Sequence, residues 1–282
     1  MAGEGSGEPT RMLPAVRVGL ALLFVLAILN GGFLLFLPSM AKTDYAWAIS
    51  PAASAAFMGA GYVAGAVGTG LAVFTARRWG SVRALVPGFC GLGVVAFAAT
   101  LIHQEKFRWD YAPTWGWAVV YATLPFGAAA LVWMQSREAG EKPAGGRDEN
   151  LRPLVVASYV LGAVTVAAAV ALFIAPEWLL ADWPWKLTPL IARVFAAWYV
   201  LAGVTLLVAA LQAARQYERP IPYGTLAIWS ALLLLVPLLH ADDVAASPLL
   251  VPWLLLHVAM LALCAVTVAA ALRSMRRAGE TL

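Results

Sequence analysis

Asp44-Tyr45-Ala46-Trp47-Ala48-Ile49-Ser50-Pro51 returns later in the chain as Asp182-Trp183-Pro184-Trp185-Lys186-Leu187-Thr188-Pro189. Three of the eight positions are identical and three more keep their chemical type. The separation of 138 residues holds through Phe57/Phe195, Gly65/Gly203 and Arg77/Arg215. It becomes 137 at His103/His240 and 136 at Trp117/Trp253 and Arg137/Arg273, as single-residue loop deletions would produce. Self-similarity at a fixed lag marks a duplicated unit, so the chain reads as two copies of one architecture.

Composition says what that architecture sits in. The chain is 62% hydrophobic and 12% charged. A soluble domain carries roughly 25% charged residues, so this chain cannot clothe a soluble domain's surface. Eight apolar stretches are each about long enough to cross a bilayer as a helix. They fall near 15–38, 51–74, 82–103, 114–135, 153–174, 189–212, 221–241 and 249–272. Helices are the spanning form expected, because a hydrocarbon core cannot satisfy open backbone groups. The expected fold is therefore an all-α integral membrane protein, eight transmembrane helices arranged as a 4+4 tandem repeat. Its parts are a disordered tail over 1–14, a first four-helix unit over 15–135, a polar linker over 136–152, a second unit over 153–273 and a short tail over 274–282.

Basic residues set the expected orientation. The N-terminal tail, the linker, the C-terminus and the loops near 75–81 and 213–220 hold 14 of the 19 Lys and Arg, while the alternate loops hold Lys42, Lys106, Arg108 and Lys186. Both termini are then cytoplasmic, in a bacterial cytoplasmic membrane. Four helices per unit is an even number, so the copies enter the membrane in the same direction and are related by an axis along its normal. On that reading Asp44 superposes on Asp182, Trp47 on Trp185 and His103 on His240. The first apolar run is longer than a signal core, and its removal would break the repeat, so it reads as a helix rather than a cleaved leader.

Polar features concentrate on the expected outer side. Eight of twelve tryptophans fall there: Trp47, Trp109, Trp115, Trp117, Trp178, Trp183, Trp185 and Trp253. They read as an interfacial belt or as the wall of a site. In the duplicated segment, Ser50 and Thr188 suit a helix cap, and Pro51 and Pro189 suit the first helical turn. Asp44 and Trp47, like Asp182 and Trp185, are left for loop packing or ligand contact. His103 with Glu105, and His240 with Asp242, end the third and seventh spans with an imidazole and a carboxylate two residues apart. Such pairs suit helix capping, proton or ligand chemistry, or metal and haem ligation. Arg193 and His257 stand inside apolar runs, where an ionisable group calls for a partner. Arg193, His240, His257, Asp182 and Asp242 are expected to converge. Gly61-x-x-x-Gly65 is a close-packing face in the second span. Cys90 and Cys264 form no metal or redox motif. Nucleotide-loop, zinc and kinase motifs are absent from the sequence, and no span carries a lysine.

Ala56-Phe57-Met58-Gly59-Ala60-Gly61-Tyr62 and Ala99-Thr100-Leu101-Ile102-His103-Gln104-Glu105-Lys106-Phe107 resemble phrases in uncharacterised multi-pass membrane proteins of high-GC bacteria. The resemblance covers both halves; it implies no activity and carries over no site residue. The leading expectation is a protein that binds or translocates a small solute or lipid-like ligand at an outer polar and aromatic site. The alternatives are a redox or cofactor protein using His103 and His240, and a non-catalytic subunit or assembly factor of a membrane complex. No cofactor is required by the first reading. The expected partners are the bilayer and a small ligand, with an oligomer or complex partner open and no nucleic acid.

Overall fold

The computed structural model describes residues 11–137, 152–212 and 218–279. The tail over 1–10, nearly all of the linker, Arg215 and the last three residues lie outside the described residues. Eight long helices make up the described chain: α1 (Pro14–Phe36), α2 (Ala52–Phe74), α3 (Leu85–Ile102), α4 (Ala112–Arg137), α5 (Arg152–Ile174), α6 (Pro189–Gln212), α7 (Pro220–Leu239) and α8 (Leu250–Ala278). No strand occurs among the described residues. All eight are long and apolar enough to cross a membrane. The shortest, α3, has 18 residues, which at 1.5 Å per residue spans about 27 Å, close to a hydrocarbon core. The protein is a multi-pass membrane protein.

Local chemistry sets the helix ends. Prolines open α1, α6 and α7, where a missing N–H costs nothing. Gly279 ends α8 with φ of 67°, a left-handed conformation that glycine adopts without a Cβ clash. Thr188 caps α6 as expected: its Oγ1 accepts from the Ile191 N–H at 3.3 Å. Ser50 does not cap α2. That work falls to Asp243, from the α7–α8 connection, whose Oδ2 accepts from the Ala53 N–H at 2.9 Å.

The helices close into a flattened ring in the order α1, α2, α7, α8, α5, α6, α3, α4 and back to α1. Thus α2 packs on α7 and scarcely on its sequence neighbour α3, and α6 packs on α3 far more than on α7. Across the middle, α2 meets α6, where the rings of Phe57 and Phe195 stack at 3.8 Å. These are the innermost helices: 61% and 72% of their most apolar stretches are buried, against 22% for α1, α4 and α5. The peripheral helices turn Leu22, Leu29, Val119, Val160 and Leu255 outward, as lipid contact allows. Small residues permit the close inner contacts. A Cβ on Gly59 would stand 2.5 Å from the backbone nitrogen of Leu35 in α1, and one on Gly61 would stand 2.5 Å from the Trp198 ring of α6. Gly65 is different, with nothing within 4 Å of an added Cβ, so only Gly61 of the expected pair is a tight contact. Buried Thr69, Thr100, Thr165, Thr225 and Thr267 return their hydroxyls to carbonyls four residues back, which satisfies them where water is excluded.

The connections at the two ends are tied differently. At one end, hereafter the histidine end, a single-turn helix follows α1 (Pro38–Lys42) and another follows α5 (Glu177–Leu180). There the Arg108 N–H donates to Ala46 O at 3.0 Å and the Ala245 N–H to Pro184 O at 2.9 Å. At the opposite, arginine end, Arg83 beside α3 pairs with the buried Glu218 ahead of α7 at 2.8 Å.

Candidate functional site

The ten residues nominated by the sequence sit at or near the histidine end but divide among separate environments. Arg193 does not pair with Asp182 or Asp242. Its Nη1 lies 2.8 Å from His103 Nε2 and its Nε donates to Phe173 O at 3.0 Å. The contact with His103 links the first half of the chain to the second. Burial holds the His103 imidazole below its ordinary pKa, and the Arg193 cation acts in the same direction. A neutral imidazole presents a lone pair on Nε2 to the guanidinium, a charge-assisted hydrogen bond.

His257 is fully buried in another cluster. Its Nδ1 meets Trp253 O at 2.7 Å, its Nε2 stands 3.5 Å from the Tyr199 hydroxyl, and Trp253 Nε1 donates to that hydroxyl at 2.8 Å. Trp229 packs edge-on against the imidazole at 5.8 Å. Asp44, Glu105, Asp182 and Asp242 are exposed, and His240 is half-buried. His240 makes no side-chain hydrogen bond among the described residues, and no group of three or more His, Cys, Asp and Glu there is arranged to hold a metal. Haem or metal ligation through His103 Nε2 would first have to displace Arg193.

The tryptophans split into two kinds. Trp109, Trp115 and Trp178 are exposed and fit an interfacial belt, whereas Trp47, Trp117, Trp183, Trp185 and Trp253 are at most 7% exposed and form core. Trp47 meets Trp117 edge-on at 4.7 Å and 77°, and Trp185 meets Trp253 at 5.5 Å and 84°. Trp117 then packs on Tyr121 at 4.1 Å and 45°, as Trp253 packs on His257 at 4.4 Å and 44°. The Asp-aromatic-x-Trp segment thus uses its tryptophan to seal the loop onto the bundle. Its neighbour Arg108 clamps the first copy, donating to Thr43 O and Tyr45 O.

Sequence reasoning missed the cavity. It lies between α1 and α4, one of the two weakly packed seams of the ring, and none of the ten nominated residues lines it. Its volume is about 240 Å³, with Asn30, Tyr45, Tyr62, Trp117 and Tyr121 among its walls. Leu26, Pro113 and Gly116, all exposed, form its rim, so it opens sideways through the peripheral helices. A smaller void of about 50 Å³ continues inward past Tyr62 and Tyr121 to Gly65 and Trp198. The Tyr62 and Tyr121 hydroxyls are 2.5 Å apart, and Tyr45 donates to Asn30 Oδ1 at 3.3 Å. Burial pushes the Tyr45 phenol above its ordinary pKa, so it stays neutral and able to donate. The slot therefore combines apolar walls with a few convergent neutral donors and acceptors, the usual chemistry of a pocket for an amphipathic molecule. At the sequence lags of the recurring segment, Tyr121 aligns with His257, Tyr62 with Val200 and Asn30 with Ala168, residues that carry neither hydroxyl nor amide.

A signal for this site was present but weak. Tyr62 and Tyr121 lie in apolar runs, where a tyrosine reads as core, and each hydroxyl finds its partner on a helix far away in sequence. The chain matches no protein-family model, no curated protein and no solved structure.

Proposed function

We propose that the protein binds a lipid-like molecule with a neutral hydrogen-bonding headgroup in the tyrosine slot between α1 and α4. The observation that carries this is the slot itself: a laterally open cavity in a membrane protein whose interior end presents tyrosine hydroxyls. A ligand entering from the bilayer keeps its chain against Leu26 and Val120 and offers its headgroup to Tyr45, Tyr62, Tyr121 and Asn30. Translocation would follow if the same molecule continued inward past Gly65.

Two features of this reading extend to the whole chain. The halves are a parallel tandem repeat whose axis passes between Phe57 and Phe195. What supports it is that these repeat partners stack on each other, that α2–α7 mirrors α6–α3, and that the paired Trp geometries agree. The histidine end faces outward, on the strength of the basic asymmetry between alternate loops.

Native mass spectrometry of the protein purified in mild detergent tests the binding. The wild type should carry a bound lipid-like adduct. Gly116→Trp, at a rim position with open space around an added Cβ, should lose it by filling the mouth. Tyr62→Phe with Tyr121→Phe keeps the rings and removes the hydroxyls; at about 0.5–1.5 kcal/mol per hydrogen bond it should weaken retention roughly fivefold to a hundredfold. An adduct profile identical in wild type and Gly116→Trp would rule out the slot.

A further inference from the structure

The arginine end carries a second cavity, remote from the tyrosine slot and differing from it in chemistry. Its volume is about 930 Å³, and its walls are Arg11, Arg17, Phe74, Thr75, Ala76, Arg77 and Arg78. Four arginines on one cavity need an explanation beyond helix capping, the role that Arg17 plays. Arg17, from the first turns of α1, donates to Val73 O and to Ala76 O. Val73 O is in the last turn of α2 and Ala76 O lies just beyond it, where the helix dipole is negative. The guanidinium of Arg17 is thereby committed to the fold.

Arg11 and Arg77 are placed differently. The chain on both sides of Met12 is fixed by Gln135, a fully buried side chain of α4. Gln135 Nε2 donates to Arg11 O at 3.0 Å, and its Oε1 accepts from the Leu13 N–H at 3.0 Å. Between them the Met12 N–H donates to Arg77 O at 3.0 Å. One buried amide and one backbone bond hold the Arg11 segment against the segment of Arg77 and Arg78, with Arg11 opposite Arg78, and Arg11 and Arg77 both line the cavity. Both side chains belong to exposed residues, and neither has a carboxylate partner among the described residues. The backbone is thus in place before an anion arrives, and each guanidinium offers a planar fork of N–H donors that matches a phosphate.

The remaining wall indicates the source of the anion. Phe74 is 73% exposed and packs edge-on against Phe24 of α1 at 5.7 Å. The cavity therefore runs from arginines directly onto the apolar flank of α1 and α2. A free phosphate would use the first surface and leave the second unmatched. A phospholipid uses both, and basic pockets at membrane ends are the known setting for anionic headgroups. We propose that Arg11 and Arg77, with Arg17 and Arg78 completing the wall, bind the phosphate of an anionic phospholipid whose acyl chain lies along Phe74.

The test titrates full-length protein in detergent with phosphatidylglycerol, cardiolipin or phosphatidylcholine and reads bound lipid by native mass spectrometry. Wild type should retain the anionic lipids in preference to phosphatidylcholine. Arg11→Gln with Arg77→Gln should weaken that retention about thirtyfold, the scale expected for two basic contacts. Arg11→Lys with Arg77→Lys keeps the charge but loses the forks, and should fall between the two. Arg276→Gln with Arg277→Gln removes the same charge from the end of α8 and should weaken retention clearly less than the Arg11 and Arg77 pair does. Equal losses in the α8 variant would mean general surface attraction and would overturn the site. So would a doubly Gln-substituted protein, monodisperse by size exclusion, that binds anionic lipid as wild type does. Millimolar inorganic phosphate should displace the lipid; phosphate bound by a protein that takes up no phospholipid would refute the lipid assignment.

Discussion

Arg193 shows how an intramembrane charge is made tolerable by a partner that sequence proximity does not suggest. A central arginine costs roughly 2.5–3.5 kcal/mol on insertion scales, less near an interface. Here the cost is offset by His103 Nε2 and the Phe173 carbonyl, and three acidic residues of the same end, Asp44, Asp182 and Asp242, remain in solvent. The arrangement has a pH sign. Protonating His103 puts two cations 2.8 Å apart, and the folded-state pKa is lowered first by burial and then by Arg193, with Glu105 and Glu177 opposing and Lys106 reinforcing. The unfolded chain then binds its proton at higher pH than the folded one. Stability is complete above the ordinary histidine pKa near 6.5 and is lost as pH falls from there through the lowered folded value. The midpoint of thermal unfolding in detergent should therefore fall between pH 8 and pH 5. In His103→Gln, whose amide oxygen still accepts from Arg193 and does not titrate, the fall should be smaller. An equal fall in both proteins would remove His103 as its cause.

At the scale of elements, helix entry and close packing give two sharp expectations. Asp243→Ala strips α2 of its cap and should cost about 0.5–2 kcal/mol; Ser50→Ala, removing a hydroxyl that caps nothing, should cost a few tenths at most. Denaturant titration in mixed micelles reads both. Gly61→Ala drives a methyl into the Trp198 ring and should cost roughly 1–3 kcal/mol. Gly65→Ala meets open space and should be neutral or slightly stabilising, since alanine is the better helix former by about 1 kcal/mol. The contrast marks what the sequence could reveal. All eight helices were legible from apolar run length, to within a few residues at most ends, because the bilayer imposes that length. The Thr188 cap was legible because its partner is three residues away. The Asp243 cap was not, because donor and acceptor are separated by 190 residues. The same holds for the pairs Tyr62–Tyr121 and Arg193–His103: periodicity places a residue on a face, and only the ring order decides which helix that face meets.

For the whole molecule, the orientation reading expects a reporter fused after Leu282 to be cytoplasmic and one inserted within 104–113 or 175–188 to be external, motivated by the 14-to-4 split of basic residues. An external C-terminus would reverse the face assigned to the tyrosine slot and leave its chemistry intact. The ring order also sets a timetable for biogenesis. The α1–α2 hairpin leaves the ribosome well before α7, the helix on which α2 packs, and 145 residues separate Phe74 from Pro220. At roughly 5–20 residues per second, α2 waits on the order of ten seconds for that neighbour. During that interval Gly68, whose face later meets Thr225 of α7, has only lipid or a helper protein beside it. A nascent chain stalled before Pro220 should consequently be short-lived in the membrane even though six of its helices are complete, and supplying α7 and α8 as a separate polypeptide should lengthen its lifetime.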